Sequence, residues 1–403
     1  MDTQHKLELL GQAAQYDDRV STVGTVQPET SSGSFPPGED FGLFAPPADC
    51  SGSPDVFPHV SHVTTPAGRR LAVLKILQTS VCRNDCRYCA FRAGRDLRRA
   101  SFTPDELARA FDLMQRAGVV QGMFLSSGIV TTSHSMDEML ATTELLRERY
   151  RFRGYIHLKI LPGAEAAQIA RAVELADRVS VNLEGPTSDR LATLAPQKRM
   201  EELVGPLRVA ARSISGHRRA GDPKIGCGRL GMSTQFVVGP AGESDRELLG
   251  TAQRLYKELR LSRAYYSAFN PVASTPLENE PPTDPRREFR LYQADWLLRY
   301  YGFSVQDLPF DASGQLNQAV DPKTAWAKAH PEHYPVEVNR APLPDLLRVP
   351  GIGPTSARAI LAARRQGVLQ ELGDLRRLGA RVTRASPYVL LAGKRPPCQL
   401  PLL

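Results

Sequence analysis

The sequence holds no apolar run approaching the roughly 20 residues that a membrane span requires. Its first 20 residues, MDTQHKLELLGQAAQYDDRV, contain no apolar stretch set between basic residues and a cleavage site. The expectation is a cytoplasmic protein with no membrane partner. Cysteine is scarce, with six in 403 residues. Secreted disulfide frameworks are short and cysteine-dense, so a reducing compartment fits better. Repeats of solenoid length are absent. Apolar residues are not scarce: at 41% they suffice for a real core and exclude a disordered chain.

An excess of one charge sign is missing from most of the chain. From Val336 onward there are eleven Lys/Arg against four Asp/Glu, while the other 335 residues carry 40 against 39. Nearly all of the +8 net charge therefore sits in the C-terminal part, which suits a polyanion-binding module on a near-neutral enzyme body. A solvated basic face is the plainer alternative.

Thr3 to Tyr16 predicts a short amphipathic helix, and about Ser21 to His62, rich in Ser, Gly, Pro and Thr, predicts irregular structure. From Leu71 strands and helices alternate. LAVLKILQTS reads as a strand, and FTPDELARAFDLMQRAG as a helix with Thr103 as N-cap, Pro104 at the first position and Gly118 as the stop. Further strands are expected at VVQGMFLSSG, GYIHLKIL, RVSVNLEG, STQFVVG and RAYYSAFN, with helices such as SMDEMLATTELLRERY between them. Six such units predict an α/β fold, a parallel sheet closed into a partial (β/α)6 TIM-like barrel. Ligands should then lie at the C-terminal strand ends. The expected domains are 1–65 (N-terminal helix and irregular segment), 66–280 (barrel), 281–335 (helical extension and connector) and 336–403 (a small all-α module).

Strand parity sets Tyr155, His157 and Lys159 opposite Ile156, Leu158 and Ile160. It likewise separates Ser180, Asn182 and Glu184 from Val179, Val181 and Leu183, and Ser233 and Gln235 from Thr234 and Phe236. Helices outside the sheet require apolar residues, so the polar sets should line the interior as a cavity for a polar cofactor. Lys159, His157, Gln235 and Asn270 are candidate substrate contacts, although His157 also suits a satisfied interior histidine.

Three of the cysteines crowd into one loop after the first strand: Ser80-Val-Cys82-Arg-Asn-Asp-Cys86-Arg-Tyr-Cys89-Ala90. Three thiolates leave one iron of a cubane without a protein ligand, open to an external amino and carboxylate group. Structural zinc would want a fourth Cys or His nearby, and none lies between Leu71 and His134. Cys50, Cys227 and Cys398 are too dispersed to indicate a second cluster.

The C-x3-C-x2-C loop, with an aromatic residue before its last cysteine, resembles the radical S-adenosylmethionine (SAM) superfamily. The resemblance implies a 4Fe–4S cluster on Cys82, Cys86 and Cys89, with SAM as co-substrate. The reduced cluster would cleave SAM to methionine and a 5′-deoxyadenosyl radical that abstracts hydrogen from a C–H bond. Carried over by position, Ser126, Ser127 and Gly128 would meet the methionyl amino group, with Ser-Ser-Gly where the family more often has Gly-Gly-Glu. Asn182 and Glu184 would meet the ribose or carboxylate. The turn from Gly239 to Glu243 and Tyr88 would meet the adenine.

Further on, Leu346-Leu-Arg-Val349-Pro-Gly351-Ile352-Gly353-Pro-Thr-Ser-Ala357-Arg358 resembles a helix–hairpin–helix, whose glycines expose backbone N–H groups to a phosphate. A second, poorer copy follows at Leu378-Gly379 with Ala385 in its second helix. Val349, Gly351, Ile352, Gly353 and Arg358 are the candidate nucleic-acid contacts. Arg92, Arg95, Arg98 and Arg99, just past the cysteine loop, are candidates to steer a phosphate backbone, or ordinary solvated charge.

The opening MDTQHKLELLGQAAQYD, the cysteine loop, TQFVVGPAGESDRE, RLYQADWLLRYYGF and the closing hairpin together resemble the DNA modification/repair radical SAM proteins. That resemblance implies repair or modification of a base or lesion in DNA, and a uracil-DNA-glycosylase-like partner. An electron donor such as flavodoxin or ferredoxin is a further expected partner. The alternatives are an RNA or tRNA modification enzyme and a non-catalytic nucleic-acid-binding iron–sulfur protein.

Overall fold

The computed structural model describes residues 2–16, 60–64, 70–219 and 230–396. Cys50, Cys227, Cys398 and most of the expected irregular N-terminal segment lie outside the described residues. The chain falls into two compact units. Of the described residues, the first comprises those up to 243 together with 254–285, and the second comprises 244–253 and 286–396.

The first unit opens with helix α1 (Thr3–Tyr16) and is built on a curled, half-barrel sheet of seven strands in the order β1 to β7. These are β1 (Val60–Thr64), β2 (Arg70–Leu77), β3 (Gly122–Ser126), β4 (Tyr155–Lys159), β5 (Arg178–Ser180), β6 (Gly231–Val238) and β7 (Arg263–Ala268). β2 to β7 are parallel and follow chain order, as a run of right-handed strand–helix units requires. β1 corrects the sequence expectation, which left residues 60–65 irregular. It pairs antiparallel with β2, Val60 opposite Leu74 and Thr64 opposite Arg70. Pairing with β2 covers what would otherwise be an open sheet edge, and a five-residue segment carries no local sign of that partner.

The helices between the strands are α2 (Pro104–Arg116), α3 (Thr132–Glu144), α4 (Ala166–Leu175), α5 (Ser188–Leu194), α6 (Met200–Arg219) and α7 (Asp245–Leu259). α2 starts where its capping residues dictate. The Thr103 hydroxyl accepts from Glu106 N–H, the Glu106 carboxylate accepts from Thr103 N–H, and Pro104 occupies the first turn. Leu107 and Phe111, one turn apart, are fully buried. α3 stops short of the expected Tyr150 because residues Leu145–Arg149 widen into a π-helical turn. That turn aims Arg147 at the carbonyls of Phe152, Gly154 and Leu175 and at Asp177 Oδ2 (2.8 Å), tying it to the starts of β4 and β5.

Alternation along the strands sorts the residues as their chemistry requires. Ile156, Leu158, Ile160, Val179, Val181 and Phe236 are buried almost completely on one face. On the other face His157 stacks on Phe124 at 4.3 Å and its Nε2 lies 2.8 Å from Ser180 Oγ.

The second unit carries α8 (Pro285–Tyr300), α9 (Pro322–Ala329), α10 (Leu343–Arg348), α11 (Pro354–Ala363), α12 (Leu372–Arg377) and α13 (Val382–Ala385). Its C-terminal part is not wholly helical as expected: β8 (Val336–Glu337) and β9 (Val389–Leu390) form a two-residue parallel pair. The pair brings the start and end of the helical segment together around Leu346, Val349, Ile352, Ile360, Leu375 and Ala385.

Candidate active site

The cysteine loop runs from the C-terminal end of β2, and its shape is held by the main chain of neighbouring segments. Arg83 N–H donates to Ile129 O (2.7 Å), Arg87 N–H to Leu194 O (2.8 Å), and Asp85 N–H to Gln197 Oε1 (2.8 Å). Within the loop Cys89 N–H donates to Cys86 O, and Phe91 N–H points at Cys89 Sγ (3.4 Å). All three thiols are free of disulfides, with Cys86 buried and Cys82 and Cys89 half-buried. Burial pushes the Cys86 thiol up, opposed by the Lys198 ammonium.

This donor set fits an iron–sulfur cluster. Three thiols in one restrained loop, with a backbone N–H aimed at a sulfur, is the kind of environment that holds and tunes a cluster. Among the described residues no three or more His, Cys, Asp or Glu side chains are gathered closely enough to hold a metal ion. A cubane takes its three thiolates at three separate irons.

Gly128 explains itself by close approach. Its N–H donates to Thr79 O (2.7 Å), and a Cβ there would stand 2.3 Å from Val81 O. Ser126 O accepts from Gln78 N–H, and Ser127 Oγ donates to Gly128 O. The predicted Ser126–Gly128 segment thus lies directly against the entry to the cysteine loop.

Glu184 and Tyr88 come together, with a third residue the sequence did not single out. Lys198 Nζ lies 2.9 Å from Glu184 Oε1, the glutamate buried and the lysine side chain 11% exposed. Glu184 takes φ 61°, a region few non-glycine residues occupy, and its N–H and that of Leu183 both donate to Gln235 O. The Tyr88 hydroxyl also bonds to Glu184; burial first, and then the carboxylate, push its ionisation well up. Burial alone would lower the Lys198 ammonium, but Cys86 and Glu184 beside it hold it above the usual lysine range. Lys198 sits where α5 connects to α6, the same connection that anchors the cysteine loop through Leu194 and Gln197. Its neighbours LAPQKRME gave no motif, so only the folded chain could assign it to this site.

Asn182 is nearly buried. In the turn after β6, Gly239 has φ +117° and its N–H donates to the buried Glu243 carboxylate. A Cβ at Gly239 would collide with Thr283 Oγ1. Ala241 O accepts from Arg190 (2.9 Å), so this turn is held from α5. Asn270 does not join the interior: it is exposed and its amide donates to Ala268 O. The arginines after the loop are mostly structural rather than free to steer a ligand. Arg92 pairs with Asp85 (2.6 Å), Arg95 donates to Ala90 O, and Arg99 donates to four backbone carbonyls. Arg98 alone of the four is exposed.

In the second unit α10 and α11 flank Val349–Gly353, and α12 and α13 flank Leu378–Arg381. Gly351 and Gly379 occupy equivalent left-handed positions, φ +86° and +83°. Gly351 O accepts from Arg381 N–H (2.8 Å), and a Cβ at Gly351 would lie 2.5 Å from Arg381 O. Val349 and Ile352 are buried in the core of this segment, Gly353 caps α11, and Arg358 is exposed on it.

Residues 76–255 match the Radical SAM superfamily. A search of the curated proteins finds no match to the chain. Among solved structures the chain is similar to the FeFe-hydrogenase maturase HydG from Carboxydothermus hydrogenoformans at 13% identity and TM-score 0.44, covering 55% of this chain and 50% of that one. It is also similar to methylornithine synthase (PylB) at 14% identity and TM-score 0.44, covering 55% and 60%. A third is coproporphyrinogen III oxidase (HemN) from Escherichia coli, at 14% identity and TM-score 0.37, covering 55% and 50%. The chain therefore spans half to three-fifths of these proteins, and no reaction or substrate is carried over from them.

Proposed function

We propose, for a chain whose residues 76–255 form a radical SAM superfamily domain, that its radical chemistry repairs or modifies a base or lesion in DNA. The family implies a 4Fe–4S cluster and SAM, which when bound supply a 5′-deoxyadenosyl radical and methionine. Cys82, Cys86 and Cys89 would hold the cluster. Ser126 to Gly128, Asn182, Glu184, Tyr88 and the Gly239–Glu243 turn would bind and orient SAM. Lys198 neutralises Glu184 and fixes its carboxylate; removing Lys198 leaves the Glu184 charge buried and unpaired, at a cost of about 3–5 kcal/mol.

The observation that carries the nucleic-acid half of the proposal is the pair of glycine turns between short helices, at residues 349–353 and 378–381, in a segment with a +7 balance. Such a pair grips a phosphate backbone without reading its bases. An electron donor such as flavodoxin or ferredoxin would supply the reducing electron, and a uracil-DNA-glycosylase-like protein is a proposed partner on the same DNA.

The test is anaerobic reconstitution of the full chain, reduction and addition of SAM, with lesion-bearing DNA and matched RNA oligonucleotides followed by mass spectrometry. Wild type should bind about four irons, form 5′-deoxyadenosine and alter the DNA. The triple Cys→Ala variant should do none of these. Turnover confined to RNA would replace DNA with RNA as the substrate.

A further inference from the structure

We infer that the inner face of the sheet holds an oxyanion site centred on Arg178, which takes a phosphate ester of the substrate. Assigning that ester to a nucleic acid rests on the proposal above; the site itself does not.

The seven strands carry five Lys or Arg residues, Arg70, Lys75, Lys159, Arg178 and Arg263, and no Asp or Glu. Four of them fall on one face by register. Lys75 lies opposite Phe124, Phe124 opposite His157, and His157 opposite Arg178. In the next inward row Lys159 lies opposite Ser180, Ser180 opposite Ser233, and Ser233 opposite Arg263.

Arg178 is the most informative of the four. Its ladder neighbour on β6 is Gly231, and Arg178 Nη2 lies 4.0 Å from where a Cβ would stand there. With no side chain in the way, the guanidinium crosses β6 and Nη1 reaches the Tyr265 hydroxyl on β7 at 3.4 Å. Its Nε is buried without a hydrogen-bond partner. The Tyr155 and Tyr265 hydroxyls act on its charge, and among the described residues it forms no ion pair with a carboxylate. Asp177, next in sequence, is committed to Arg147 and to Ile156 N–H. The Tyr155 hydroxyl is pushed up to about 12, by burial first and against the Arg178 charge, so it supplies no anion at neutral pH. Ser233, whose hydroxyl is also buried without a partner, lies one inward position along β6 from Gly231.

Desolvating a guanidinium costs several kcal/mol unless an anion meets it. Guanidinium, tyrosine and serine hydroxyls can all donate, and together they suit an oxyanion rather than a cation or an apolar group. The rigid arginine fork matches phosphate. On the same face His157 stacks on Phe124, and Lys75 Nζ lies 5.6 Å over the Phe124 ring. Arg178 and Glu184 lie opposite Gly231 and Phe236, five residues apart on β6, or about 17 Å along the strand direction.

The test uses the full, cluster-loaded chain under anaerobic conditions. Deoxythymidine 5′-monophosphate, inorganic phosphate and thymidine are titrated calorimetrically into wild type, Arg178→Gln and Arg178→Lys. Binding of a single-stranded oligonucleotide is followed in parallel by fluorescence anisotropy. Wild type should bind both phosphate probes saturably and thymidine at least tenfold more weakly. Arg178→Gln should weaken the phosphate probes at least tenfold and leave thymidine unchanged, with Arg178→Lys in between. Should Arg178→Gln not fold, Arg178→Lys and the wild-type contrast between monophosphate and nucleoside decide. Absence of phosphate binding by wild type, or wild-type affinity in both variants, overturns the site. Mononucleotide binding that depends on Arg178, with no oligonucleotide binding at any salt, upholds the site and assigns the ester to a free nucleotide. That result would remove the DNA proposal alone.

Discussion

Arg99 closes the cysteine loop from its far end. Its Nη1 donates to Ser80 O (2.6 Å) and Phe91 O (2.8 Å), and its Nη2 to Arg92 O (2.8 Å) and Arg95 O (3.3 Å). One planar fork thus joins the residue preceding the first ligand turn to three residues beyond the last cysteine. A lysine cannot reproduce that geometry, and each carbonyl left buried and unpaired costs about 1–3 kcal/mol. Arg99→Gln and Arg99→Lys should both lower iron occupancy after reconstitution several-fold and broaden the electron paramagnetic resonance of the reduced cluster, while circular dichroism stays near wild type. Wild-type iron content and spectrum in both variants would show that the loop holds its shape without Arg99. The sequence displayed this arginine only as one of four charges after the motif. Its role depends on which carbonyls the folded loop turns inward.

At the scale of elements, the first glycine turn of the second unit is fixed from two sides. Arg381 N–H meets Gly351 O, and Lys323 Nζ, buried on α9, donates to Ile352 O at 2.5 Å while lying 4.6 Å over the Tyr301 ring. With those two carbonyls satisfied internally, the turn is held rigid at the start of α11. Lys323→Met should destabilise the protein by about 1–3 kcal/mol and weaken oligonucleotide binding about fivefold or more. Calorimetric unfolding and anisotropy check the two effects separately. Lower stability with unchanged oligonucleotide affinity would reduce Lys323 to a packing role. α2, with its Thr103 cap and Pro104, was legible because capping is local chemistry. β1 and the π turn at Leu145–Arg149 were not, since each depends on a partner far along the chain.

At the scale of the whole molecule, the uneven charge makes a prediction about salt. If the segment after Val336 grips a phosphate backbone, log affinity for an oligonucleotide should fall linearly with log salt concentration. Arg358→Ala, at an exposed position on α11, should reduce the slope by about one. Affinity that is flat between about 50 and 200 mM salt, a range over which phosphate grips weaken steeply, would contradict a polyanion partner. Among the described residues no helix is long and apolar enough to cross a membrane. The sequence by itself determined the cysteine loop, the alternation of six parallel strands with helices, and the two glycine turns, because spacing, capping and period are properties of neighbouring residues. Only the tertiary structure decided that Tyr88, Glu184 and Lys198 meet beside Cys86, that Arg99 closes the loop, and that Arg178 crosses Gly231 to Tyr265. Those contacts depend on strand order and register, which bring distant residues together across a sheet and leave no pattern in the local sequence.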